Sequence, residues 1–157
     1  TLALGDAREE LENIGVHHTA TASPGGSGAL FLAAANYADR GSKVLLRDRH
    51  WGPYDGFLAG CGLEIATYPL LGASSGLDLP ALEAGLGNLA KSQSKVMSWL
   101  NDPAHNPTGL SLTSEERMSV LRAFSKAAME HEDVGFTLLI DAAYHVYARE
   151  PLSLIHI

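Results

Sequence analysis

Cysteine is almost missing. Cys61 stands alone among 157 residues, so no disulfide framework can form within the chain, and that usage points to a reducing compartment, the cytoplasm. No apolar run nears the roughly 18 residues of a membrane span. Positive charge is scarce as well: eleven Lys and Arg stand against eighteen Asp and Glu, a formal charge of −7. That balance argues against a basic face for nucleic acid. His17-His18, His131 and His145 show no ligand spacing such as His-Glu-x-x-His, so they read as solvated or structural and no metal is expected. A starting Met is also lacking. We expect residues before Thr1 to be missing.

What is present suits one globular domain. A chain of this length hides roughly 68–70% of its unfolded surface, and 46% of it is apolar. The pattern alternates. Asp6 to Leu11 reads as a short acidic helix and Val16–Ala22 as a short strand that ends at Ser23-Pro24-Gly25-Gly26. From Gly28 the spacing becomes helical, with Leu30, Phe31, Ala34, Tyr37 and Ala38 on the apolar side up to Gly41. Lys43–Arg47 reads as a buried strand, and Pro53 opens a helix that ends near Gly60-Cys61-Gly62. Leu63–Leu70 is β-rich, Leu77–Ala90 a helix and Lys95–Asn101 a strand. Thr113 and Glu116 form a capping box for a helix to about Glu130, with Met118, Leu121, Phe124 and Ala128 as its stripe. Phe136–Ile140 is a strand that stops at Asp141. Alternation of this kind predicts βαβ units: an α/β fold, a mostly parallel sheet with helices on both faces. Ligands of such sheets bind at the carboxyl ends of the strands, where Pro24–Ser27, Asn101–Gly109 and Asp141–Tyr144 are expected.

Ser23-Pro24-Gly25-Gly26-Ser27-Gly28 suits a phosphate. Glycines let backbone N–H groups approach an anion, a helix start adds partial positive charge, and Ser27 offers a hydroxyl. It matches neither a Walker loop nor Gly-x-Gly-x-x-Gly, and it also reads as a plain turn. A rival reading is a serine hydrolase using Ser27. Gly25-Gly26-Ser27-Gly28-Ala29 misses the Gly-x-Ser-x-Gly elbow by one residue, and Asp141 and His145 follow in the order Ser, Asp, His. In His105-Asn106-Pro107-Thr108-Gly109 the proline biases Asn106 to extended backbone and Thr-Gly closes a turn. Such a turn can fix an amide at a strand tip, or be an ordinary Asn-Pro loop. Asp141 follows the most apolar strand, so it is desolvated and wants a cationic partner, or it caps a following helix. Tyr144 can reach the same ligand. Cys61 and Trp99 read as core, whereas Trp51, between a strand end and Gly52-Pro53, can stack on a flat ring.

Together Pro24-Gly25-Gly26-Ser27-Gly28-Ala29, Trp51-Gly52-Pro53-Tyr54, Asn101 through Gly109 and Asp141-Ala142-Ala143-Tyr144 resemble a class I aminotransferase. That is a pyridoxal-phosphate enzyme of fold type I, here in the aspartate/aromatic branch. The resemblance covers nearly all of residues 16–149, and four motifs match in order. It implies that Gly25, Gly26 and Ser27 hold the phosphate of pyridoxal 5'-phosphate and that Trp51 stacks on its ring. Asn106 and Tyr144 would hydrogen-bond the phenolic oxygen, and Asp141 would pair with the pyridine nitrogen, making Asp141 and Tyr144 the catalytic pair. The implied reaction moves an amino group from an amino acid to a 2-oxo acid, in a cytoplasmic homodimer without nucleic-acid or membrane partners. Other fold type I enzymes, such as C–S lyases, share these motifs.

Two family features lie outside the sequence. Lys43, Lys91, Lys95 and Lys126 all precede Asp141, so none fits the Schiff-base lysine, and the arginine for the substrate carboxylate is also missing. Residues 1–151 are therefore expected to be part of the large cofactor-binding domain, inactive by themselves. The tail Leu152-Ser153-Leu154-Ile155-His156-Ile157 matches one translated frame of a sequencing adapter, which makes residues 152–157 an expected non-native end.

Overall fold

The computed structural model describes residue 9, residues 12–17 and residues 19–147. The expected helix at Asp6 to Leu11 falls largely outside those residues, and the tail 152–157 wholly so. Helix α1 spans Gly25–Tyr37, strand β1 Lys43–Arg47, α2 Pro53–Gly60 and β2 Glu64–Tyr68. Then come α3 at Leu79–Ala90, β3 at Lys95–Asn101, α4 at Ser114–Glu130 and β4 at Gly135–Asp141, followed by a 3₁₀ turn at His145–Tyr147.

The four strands form one parallel sheet in the order β2-β1-β3-β4. β1 and β3 are the inner strands, and their runs Val44-Leu45-Leu46 and Val96 to Leu100 are buried throughout, as strands covered on both faces must be. Successive side chains alternate between faces. Leu45, Val96 and Leu100 pack under α3 and α4, against Leu82, Leu86, Val120 and Phe124. Val44, Leu46, Met97 and Trp99 pack under α1 and α2, against Leu30, Ala34, Tyr54 and Leu58. After β2 the chain crosses back past β1 to form β3, so the strand order reverses between β1 and β3. The crevice at that reversal is the ligand position of open α/β sheets.

The element ends follow local chemistry. Thr113 Oγ1 accepts from the Glu116 N–H at 3.1 Å while Glu116 Oε2 accepts from the Thr113 N–H at 2.8 Å, the expected capping box. Asp78 Oδ1 caps α3 by accepting from the Ala81 N–H at 3.0 Å. Buried Asp102 joins β3 to α4: Oδ2 accepts from Arg117 Nε at 2.7 Å and Oδ1 from the Leu112 N–H at 2.8 Å.

Four expectations need correction. Val16–Ala22 shows no strand in its described residues, since β-branched residues give a propensity that only a neighbouring strand can realise. α1 begins at Gly25, three residues ahead of the expected start, so the glycine turn is itself the first helical turn. On α4 the buried stripe is Val120, Ala123, Phe124 and Ala127; of the expected residues only Phe124 is fully buried, and Ala128 is exposed. Small alanines let α4 lie close to α3, which sets the phase against the larger Met118 and Leu121. On α1 only Leu30 and Ala34 are buried, while Phe31 is 45% and Tyr37 56% exposed.

Candidate active site at the strand ends

β3 and β4 end side by side, with Asn101 opposite Asp141 in the register. Asn101 ties the strand ends to the following turn. Its Nδ2 donates to the Asp141 carbonyl at 2.9 Å, and its Oδ1 accepts from the Asn106 N–H at 2.7 Å. The turn is closed as its sequence demands: the Gly109 N–H donates to the His105 carbonyl at 2.6 Å, and Gly109 takes φ +73°. His105 Nδ1 lies 2.8 Å from Thr108 Oγ1. Burial, aided by the positive charge of Arg47, pulls the His105 imidazole below its ordinary value, so this buried ring is neutral near pH 7. Asn106 Nδ2, held by this turn, donates to the Tyr144 hydroxyl at 3.0 Å.

Asp141 accepts two hydrogen bonds at the end of β4. Its Oδ2 accepts from the Tyr54 hydroxyl at 2.6 Å and its Oδ1 from the Ala143 N–H at 3.1 Å. Tyr54 was not singled out as a functional residue from sequence. A tyrosine in the first turn of a helix reads as core, and its partner lies 87 positions away; only its place in Trp51-Gly52-Pro53-Tyr54 marks it. The ring is held edge-on by Trp99 at 5.0 Å and by Trp51 at 5.6 Å. Burial, and then the bond to Asp141, push its phenol far above the ordinary tyrosine range, so it stays a donor.

Gly26, Ser27, Trp51, Asn106, Asp141 and Tyr144 face one open cleft of about 170 Å³. Gly25 does not line it, but takes φ +69° at the start of α1, a conformation that favours glycine. Gly28 is required for another reason: a Cβ there would lie 2.5 Å from the Pro24 ring. No side chain caps α1 and no acid sits in its first turn; the Gly25 N–H donates to the Ser23 carbonyl at 2.8 Å, and the N–H groups that follow it are open to an anion. A Cβ at Gly25 or Gly26 would meet nothing within 4 Å, which leaves that backbone approachable. The expected hydrolase partners are not assembled: His145 Nδ1 sits 2.9 Å from its neighbour Ala142's carbonyl, with no hydrogen bond to Ser27 or Asp141 among the described residues. Trp99 is core, as expected, and Cys61 is half-buried.

A parallel sheet with an amide, an acid and an open helix start gathered at its strand ends defines an α/β ligand-binding domain. The chain belongs to the class I and II aminotransferases, whose family model matches residues 5–156. It is 34% identical over 122 residues to an aromatic-amino-acid aminotransferase of Pseudomonas aeruginosa, covering 76% of this chain and 29% of that protein. A tyrosine aminotransferase of Rhizobium meliloti is 31% identical over 150 residues, covering 92% and 34%. Among solved structures, an aminotransferase from Anaerococcus prevotii superposes with a TM-score of 0.72 at 27% identity, covering 75% of this chain and 29% of that one. The chain thus spans about a third of the length of the curated relatives it matches.

Proposed function

We propose that the protein is a pyridoxal-phosphate-dependent aminotransferase, which moves an amino group from an amino acid to a 2-oxo acid as a cytoplasmic homodimer. The observation that supports this most is the Asp141 carboxylate, fixed between Tyr54 and Ala143 at the end of β4, with the Asn106–Tyr144 pair lining the same cleft. The donor set fits the cofactor. Open N–H groups at Gly26 and Ser27 suit a phosphate, the Gly25 N–H being held by the Ser23 carbonyl at 2.8 Å; Trp51 offers a plate for a flat ring, and an acid and a hydroxyl–amide pair remain for the ring's nitrogen and oxygen. A complete ligand pocket holds roughly 300–1,000 Å³, so this cleft suits one wall of a larger site.

When bound, pyridoxal phosphate supplies an electron sink for negative charge at the amino-acid α-carbon. This chain's residues set the sink's strength. Asp141 would hold the proton on the ring nitrogen by a charge-assisted hydrogen bond of about 1.5–3 kcal/mol. Asn106 and Tyr144 would orient the ring through its oxygen, and the start of α1 would anchor the phosphate. The test is Asp141→Ala in the full-length protein, with amino-group transfer to a 2-oxo acid and cofactor content measured together. We expect turnover to fall between about tenfold and about a hundredfold, in line with losing that much transition-state stabilisation, while cofactor is retained. Unchanged turnover would remove Asp141 from this role and with it the support for the reading.

A further inference from the structure

His105 is 2% exposed and does not line the cleft, yet it directly precedes Asn106, which does. A neutral imidazole has one N–H to donate and one nitrogen that accepts, so the partners of this buried ring fix which is which. The ring hydrogen-bonds the backbone of Arg49 at its carbonyl, and a carbonyl can only accept. Nδ1 lies 2.8 Å from Thr108 Oγ1. That oxygen takes the Leu110 N–H at 3.4 Å, which leaves the hydroxyl hydrogen for Nδ1. Nε2 is therefore the protonated nitrogen, and its partner is Arg49.

Arg49 belongs to the connection between β1 and α2, two residues ahead of Trp51. The connection is fastened at both ends. The Asp48 N–H donates to the Tyr68 carbonyl at 2.8 Å, and the Tyr54 N–H to the Trp51 carbonyl at 3.0 Å. Within it His50 bridges the Arg47 carbonyl, 2.9 Å from Nδ1, and Asp55 Oδ1, 2.7 Å from Nε2. The bond from His105 reaches this connection from outside, from the turn that follows β3. β1 and β3 are the strands between which the order reverses, so the bond spans the ligand crevice. Trp51 and Asn106, which line the cleft from these two segments, are held by it in one frame.

We propose that His105 is a positioning residue: through its Nε2–H it ties the Asn106 turn to the Trp51 segment and so fixes the spacing of ring plate and amide in the cleft. What the cleft holds rests on the aminotransferase reading; the tie itself does not. Without the tie the Trp51 segment has to be ordered when a ligand binds, and such ordering lowers affinity.

Two isosteres separate the tie from packing. Asn carries its amide at the position of Nδ1 and Gln at that of Nε2. His105→Asn therefore keeps a partner for Thr108 and loses Arg49, whereas His105→Gln keeps an N–H for Arg49. In the full-length, cofactor-free proteins, hydrogen exchange is followed over residues 48–55, and pyridoxal phosphate is then titrated in. We expect His105→Asn to speed exchange there and to weaken cofactor binding, each about fivefold, the loss of one hydrogen bond between neutral groups. His105→Gln should stay close to the unaltered protein in both. Equal behaviour of the two variants overturns the proposal, whether both are impaired or neither is. A defect confined to His105→Gln, or faster exchange in His105→Asn with unchanged affinity, overturns it as well. If the unaltered protein takes up no pyridoxal phosphate, the aminotransferase reading falls, and the exchange comparison by itself decides the tie. If His105→Asn does not fold, neutron diffraction from the unaltered protein decides: deuterium on Nε2 directed at the Arg49 carbonyl supports the tie, and deuterium on Nδ1 overturns it.

Discussion

Tyr54 combines ring packing with a hydrogen bond at the strand ends. Its ring is wedged between Trp51 and Trp99, and its hydroxyl is spent on Asp141. Tyr54→Phe separates the two roles, since the packing survives and the 2.6 Å bond does not. A hydrogen bond to a charged group contributes about 1.5–3 kcal/mol, so Asp141 loses one of its two observed restraints. We expect kcat to fall roughly tenfold or more with KM nearly unchanged, because Tyr54 does not line the cleft; a rise in KM alone would assign it a different role. The phenol gives a second readout. Its folded-state value is raised above the ordinary one near 10, so its contribution to stability is whole below about pH 10 and is lost as pH rises beyond. In an alkaline absorbance titration, Tyr54→Phe should remove signal only from the part above about pH 10. Signal lost earlier would mean that the phenol is not held as the structure places it.

At the scale of elements, the capping box at Thr113 and Glu116 joins two parts of the fold. Glu116 closes the start of α4, and its Oε1 also holds the Leu77 N–H ahead of α3. Burial alone would raise its carboxyl, but the Thr113 and Leu77 N–H groups outweigh this and hold it below the ordinary range. Thr113→Ala should destabilise by about 1 kcal/mol, read from denaturant unfolding; no change would show that Glu116 secures the helix start unaided. This box was legible because it is local, four residues with reciprocal chemistry. β1 and β3 were legible too, as apolar runs bounded by charges. The phase of α4 was not. Met118 and Leu121 satisfy helical spacing as well as Val120 and Ala127 do, and only contact with α3 decides between them. The same limit hid Tyr54, which is defined by what lies across the sheet. Asn106, Asp141 and Tyr144 each stood at a strand end, where an ordinary turn or helix cap read as well, and it was the resemblance that singled them out together; the structure brings all three to one cleft.

The whole molecule is unevenly covered. β1 and β3 are buried on both faces, whereas β4 is half-buried from Phe136 to Asp141. Phe31, Leu32 and Tyr37 also leave apolar surface open on α1. Among the described residues β4 pairs only with β3. Alternate residues of a strand direct their N–H groups to opposite sides, so an edge strand leaves every second amide without a partner. Amide hydrogen exchange on this 157-residue chain tests the arrangement. The inner amides from Val44 to Leu46 and from Val96 to Leu100 should be slowest, since both neighbours of each strand are present. Along β4 the rates should alternate with a period of two, slow where the N–H faces β3 and fast where it faces outward. Uniform slow exchange along β4 would mean that its outer side is paired in solution, by another segment or by a second copy of the chain. Uniform fast exchange there, with β3 still protected, would mean that β4 does not dock, and Asp141 would then lose its place opposite Asn101.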